Sequence, residues 1–165
     1  MASGSGERGF TYFGVLFLVM LMGMALAVAG PVWSTQAQRD RERELLWVGG
    51  QYAQALRSYY RSSPGLAQYP MELRDLLEDE RFPNVRRHLR KLYRDPLTGS
   101  DEWGLVRSFE GRIVGVYSRS TSQPLKQANF PVQWTEFEGM GSYADWRFVA
   151  EKAFLEAPVK PGERR

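Results

Sequence analysis

The chain has no cysteine and a single histidine in its 165 residues. Without cysteine there is no disulfide framework and no thiolate metal site, and the redox compartment is left open. The lone His88 stands among arginines and reads as an exposed residue without chemistry. No H-E-x-x-H, G-x-S-x-G or phosphate-loop spacing occurs. Asp101 and Glu102 are adjacent carboxylates on an expected turn, not a pair facing across a cleft as general acid–base work requires. Neither an enzyme nor a bound cofactor or metal is expected.

Charge is also missing from one long stretch. No charged residue stands between Arg8 and Arg39. About 23 residues from Phe10 to Val32 are almost all apolar, which as a helix would measure roughly 35 Å, enough for a bilayer core of about 30 Å. The apolar core of a secretory signal is shorter, about 7–15 residues. Residues 10–33 therefore read as a transmembrane helix. Gly23 with Ala27, and Ala25 with Ala29, set small residues four apart, a spacing that lets helix backbones approach closely. Pro31 removes one helical hydrogen bond and is expected to kink or loosen the last turn. Arg8 precedes the span and Arg39, Arg41 and Arg43 follow it, so a positive-inside count alone would keep the C-terminal part in the cytoplasm.

Beyond the apolar run, residues 34–62 stay helix-competent. Arg39–Glu42, Asp40–Arg43 and Arg41–Glu44 are favourable pairs three apart. Leu45, Gly49, Tyr52, Leu56 and Tyr59 then repeat at spacings of four and three, one apolar stripe that should pack on a soluble domain. Gly49-Gly50 is a weak point where the helix could bend, and Ser63-Pro64-Gly65 ends it. Tyr69-Pro70 opens a second short helix with Leu73, Leu76 and Leu77 on one face, stopped by Pro83. The segment that follows is basic, and Arg86, Arg87, Arg90, Lys91 and Arg94 form a candidate positive patch. It lacks the interleaved aromatics that stack on bases, so nucleic acid is not the expected partner.

Arg94 to Gly99 reads as a turn. Leu105–Phe109 and Arg112–Ser118, joined by Glu110-Gly111, read as an antiparallel hairpin. Ser120–Pro131 is a polar loop, and Tyr143–Val149 alternates as a third strand. Residues 63–156 thus make one globular α+β domain, and 157–165 a charged, proline-containing tail expected to be disordered. Five tryptophans and 13% aromatic content suit packing better than a ligand cage. The formal charge of +3 is a mild excess, read as a solvated surface.

The leader Glu7-Arg8-Gly9, the Phe10-Thr11-Tyr12 that opens the apolar run, and Gly23 and Pro31 inside it resemble the N-terminus of type IV pilins and type II secretion pseudopilins. The later order resembles the major pseudopilin in particular: Tyr69-Pro70, the leucine-spaced turn, Asp95-Pro96, Trp103-Gly104, the Tyr117-Ser118 strand end and Ala144-Asp145-Trp146. The resemblance implies a pilin-like α+β fold, a long N-terminal helix whose transmembrane first half leads into a part packed on a small antiparallel sheet. It implies that residues 1–9 are a leader cut after Gly9 by a prepilin peptidase, with methylation of the new Phe10 amine, and that Gly14, Gly23 and Pro31 lie on the helix used for assembly. It further implies a single-pass protein of the bacterial inner membrane with its C-terminal domain in the periplasm, against the positive-inside count. Inner-membrane lipid, other pseudopilin subunits and the secretion platform would be its partners.

Two departures stand out. Gly14 occupies the place of the family's usual glutamate, which pairs with a neighbour's N-terminal amine, and this points to a minor or tip subunit. The family's calcium loop is replaced by Arg119-Ser120-Thr121-Ser122-Gln123-Pro124, which offers no carboxylate to a cation that prefers several oxygen ligands. The alternative is a type IV pilus or competence subunit that grips DNA, or a partner, through residues 86–94.

Overall fold

The structure is a computed structural model and describes residues 8–151, without the side chains of residues 8–11 and 25–34. It divides into two compact units, Met1–Arg39 and Asp40–Arg165. The first seven residues of the expected leader and the expected tail at 157–165 lie outside the described residues, as do the side chains of Phe10 and Pro31.

One helix, α1, runs over Arg8–Arg61 and continues through Pro31 and through Gly49-Gly50. It stops two residues before Ser63, where Pro64 and the positive-φ Gly65 follow. The transmembrane reading of its first half is overturned: among the described residues no helix is long and apolar enough to cross a membrane. The single-pass inner-membrane placement, with a periplasmic C-terminal domain, falls with it.

The second unit has a three-stranded antiparallel sheet in the order β1-β2-β3, with β1 at Gly104–Arg107, β2 at Ile113–Tyr117 and β3 at Phe148–Val149. The first two strands are the expected hairpin, trimmed at its ends by a register shift between Val106 and Arg107. Gly111 takes φ +77 in the turn, a conformation glycine reaches without steric cost. The third strand is shorter than its sequence suggested because Tyr143–Asp145 winds into a 3₁₀ turn whose first free N–H is capped by Ser142.

The expected helix after Pro70 shrinks to the single 3₁₀ turn Leu73–Leu76. The reason lies in the backbone bonds. The Leu76 carbonyl accepts from both His88 and Leu89 N–H, and Asp79 N–H donates to the Arg86 carbonyl, so the chain folds back instead of winding on.

The stripe on α1 is the centre of the core. Leu45, Tyr52 and Leu56 are fully buried and Tyr59 nearly so, together with Trp103, Ile113, Val116, Phe137, Trp146 and Phe148. Gly49 is required there: a Cβ at that position would run into the Phe148 ring, whereas one at Gly50 would meet nothing. Burying each large side chain of this set contributes roughly 1.5–3 kcal/mol. Phe137 stacks between Trp134 and Trp146, at centroid distances of 5.3 and 5.4 Å.

Candidate assembly surfaces and the polar clusters behind them

In the first unit the side chains of α1 from Tyr12 to Met24 are apolar on every face. The large ones from Tyr12 to Met24 are between 47% and 71% exposed. A helix with no polar side is one that is normally buried. Gly14 and Gly23 interrupt this surface, and a Cβ at either would meet nothing, so both are notches open to a neighbouring helix. Gly9 lies in α1, and nothing described bears on cleavage there or on Phe10.

Among its described residues the second unit holds three buried carboxylates, Glu42, Asp95 and Asp79. Glu42 is expected from the sequence to pair with Arg39, three residues before it. It is 4% exposed, and its Oε1 accepts from the Tyr143 hydroxyl at 2.8 Å and from the backbone N–H groups of Leu125 and Lys126 at 2.6 and 3.1 Å. Of the three expected i,i+3 pairs, Asp40–Arg43 is formed, exposed, at 2.9 Å. Asp95 is the second: its Oδ2 accepts from the buried Ser118 hydroxyl at 2.7 Å, and its Oδ1 from Leu97 N–H within the expected turn. Among the described residues no group of three or more metal-ligating side chains is assembled. The polar loop after β2 is held instead by Glu42 and, through Ser142, by the Ser120 carbonyl.

Asp79 is the third. Arg81 donates to it three times, from its backbone N–H to Oδ1 at 3.1 Å, from Nε to Oδ1 at 2.8 Å and from Nη2 to Oδ2 at 2.7 Å. The remaining Arg81 nitrogen donates to Ser63 Oγ at 2.7 Å, and the guanidinium lies 3.5 Å from the Tyr59 ring centroid. These charge-assisted bonds outweigh burial and hold the Asp79 carboxyl down at about 2. Arg81 is pushed up in return by the same contact.

His88, expected to be exposed, has a side chain only 1% accessible. Its Nε2 sits 3.1 Å from Asp79 Oδ2 and its Nδ1 2.9 Å from Ser58 Oγ. Burial lowers its pKa, and the neighbouring Asp79 opposes this without reversing it. The neutral ring then donates from Nε2 to Asp79 and accepts from the Ser58 hydroxyl, a tautomer assigned from the network. The order Ser–His–Asp has the residue types of an acyl-transfer relay. With the imidazole sealed from solvent and Ser58 on a turn of α1, it joins α1 to the 79–89 segment and gives no substrate access to the ring.

Four of the five cations of the candidate basic patch have an acidic or aromatic neighbour. Arg87 meets Glu78 at 3.9 Å and Arg94 meets Asp101 at 2.9 Å. Arg86 lies over Phe82, Lys91 lies over Tyr93, and Arg90 is exposed. Asp101 and Glu102 do not act together, since Glu102 pairs with Arg119 at 2.6 Å.

A different feature of this unit has an open, partly apolar shape. A groove of about 350 Å³ runs between α1, through Leu46, Trp47, Gly50 and Gln54, and the segment carrying Trp134 and Glu136. No family model, curated protein or solved structure matches this chain.

The signal for Glu42 was present in the sequence. It stands three residues before Leu45, so the buried stripe runs 42, 45, 49, 52, 56, 59. A charge in phase with such a stripe must either break it or be bonded inside it.

Proposed function

We propose that this chain is a pilin-like subunit, of the kind found in type II protein secretion, and that α1 is the element by which it packs with other subunits into a filament. One observation carries the reading. The α1 segment Tyr12–Met24 presents large apolar side chains on every face, all exposed in the single chain. An exposed apolar surface of that extent marks an interaction site, and a helix apolar all round is satisfied when other helices surround it.

Gly14 and Gly23 support helix-on-helix packing, because the distance between two helix axes depends on the side chains at the contact. Gly14 also leaves this subunit without the carboxylate that would meet a neighbour's N-terminal amine, so it is placed as a minor or tip subunit. An isolated amine in an apolar bundle is costly unless paired. The subunit's work is mechanical, through helix and domain contacts with other pseudopilin subunits and the secretion platform, after a prepilin peptidase acts between Gly9 and Phe10.

The reading in which residues 86–94 grip DNA has less support, because most of the segment's cations already lie beside carboxylates or rings. The N-terminal mass of the protein isolated from cells with an active prepilin peptidase tests the leading proposal. A chain beginning at methylated Phe10 supports it. One beginning at Met1 or Ala2 overturns it.

A further inference from the structure

Among the described residues of the second unit Phe109 is the most exposed large apolar side chain, at 102% of its reference area. It stands at the tip of the β1–β2 hairpin, between Ser108 and Glu110, and makes no contact that would shield it. The tip is well formed for so exposed a ring. Gly111 N–H donates to the Ser108 carbonyl at 2.9 Å, Ser108 N–H donates to the Arg112 carbonyl at 2.8 Å, and Arg107 donates to the Gly111 carbonyl at 2.5 Å. A fixed turn thus carries a single aromatic ring into solvent.

The groove between α1 and the Trp134 segment has the complementary shape. Its volume of about 350 Å³ lies in the range of ligand pockets, about 300–1,000 Å³, and its apolar lining includes Leu46, Trp47, Trp134 and Val149. Gly50 leaves its floor open. Charge matches as well. Arg57 on the groove donates to the Ala150 carbonyl at 2.7 and 2.9 Å and forms no ion pair among the described residues. The opposite wall carries Glu136. The tip carries Glu110 after the ring, highly exposed and 3.6 Å from Arg112 Nε, and Arg107 before it, which forms no ion pair among the described residues.

We propose that the Phe109 tip of one copy of this chain seats in the Trp47–Gly50–Trp134 groove of a second copy. The contact is heterologous, so each copy keeps one tip and one groove free, and repetition builds an open array instead of a closed dimer. This deepens the filament reading by naming a contact between the globular parts of successive subunits. It also gives Phe109 the part of a central aromatic anchor, with Glu110 and Arg107 as its charged rim.

The absence of cysteine makes the test direct. Full-length Ser108→Cys and Gln54→Cys variants are prepared separately, mixed and oxidised under mild conditions. A 108–54 cross-linked heterodimer is expected in excess over either variant alone, and Phe109→Ala in the Ser108→Cys chain should lower its yield by about tenfold, the loss of an anchor worth about 1.4 kcal/mol. Both cysteines in one chain should give a ladder of multimers. No heterodimer above the single-variant background overturns the proposal, as does a dominant 108–108 product, which means a two-fold contact. A third arm carries Phe154→Cys with Gln54→Cys in one chain: a monomeric 154–54 cross-link assigns the groove to the C-terminal segment and also overturns it. Cross-linking along α1, measured separately, reports on the filament reading whatever the tip does.

Discussion

Glu42 on α1 and Tyr143 near the end of the chain are joined by a buried hydrogen bond of 2.8 Å across 101 residues of sequence. The same carboxylate oxygen holds two backbone N–H groups of the loop after β2, so one side chain fixes three donors to the helix. Glu42→Ala would leave all three without a partner. At about 1–3 kcal/mol for each buried unsatisfied donor, the full-length chain is expected to lose several kcal/mol and its thermal midpoint to fall steeply. Tyr143→Phe removes one bond and should cost about 1 kcal/mol. Denaturant melts of the two variants should rank in that order; equal, small effects would show that the loop is held elsewhere.

Calcium follows from the same geometry. The loop that replaces the pseudopilin calcium site offers no carboxylate of its own, and Glu42 already accepts three hydrogen bonds. Adding millimolar Ca²⁺ or a chelator is expected to leave the thermal midpoint unchanged. A rise with calcium would reveal a site built from other oxygens.

Stability should fall with acid in two steps around Asp79 and His88. The folded-state pKa of His88 lies below its ordinary 6.5, so the unfolded chain binds more protons, and this contribution is complete above pH 6.5 and lost as pH falls below it. Asp79, held at about 2 instead of 3.8, contributes stability present above pH 3.8 and lost as pH falls toward 2. That shift corresponds to roughly 2 kcal/mol. Melts from pH 8 to 3 should show both slopes, and His88→Asn should flatten the upper one while leaving the lower. An unchanged upper slope in the variant would detach it from His88.

Two adjacent glycines should respond in opposite senses. Gly49→Ala drives a Cβ into the Phe148 ring and is expected to cost about 1–3 kcal/mol, as overpacking does. Gly50→Ala meets open space and should stabilise α1 by up to about 1 kcal/mol through helix propensity. The pair of thermal midpoints checks the face of α1 that packs on β3; equal shifts would contradict it.

What could be read from the sequence was what repeats. The stripe from Leu45 to Tyr59 and the Glu110-Gly111 hairpin follow from periodicity and turn chemistry, and both are present. The helix after Pro70 was misjudged because three leucines suit a helix face equally well when only Leu76 is fully buried and its carbonyl is taken by a returning strand-like segment. His88 was misjudged because its arginine neighbours point outward while it alone turns in, toward partners 9 and 30 residues away. Tertiary hydrogen bonds of that kind leave no period to detect. The apolar run was legible as a surface needing cover, but among the described residues no helix is long and apolar enough to cross a membrane.

The central claim is that other subunits cover the apolar segment of α1. A single-cysteine scan from Tyr12 to Met24 in the full-length chain, oxidised in cells that carry the assembly machinery, tests it most directly. If α1 packs inside a bundle, cross-linked dimers and higher multimers should appear at positions on more than one face of the helix, strongest beside Gly14 and Gly23, where helices can approach most closely. Monomer at every position of the scan, with a surface cysteine at Thr98 giving the same background, would contradict it.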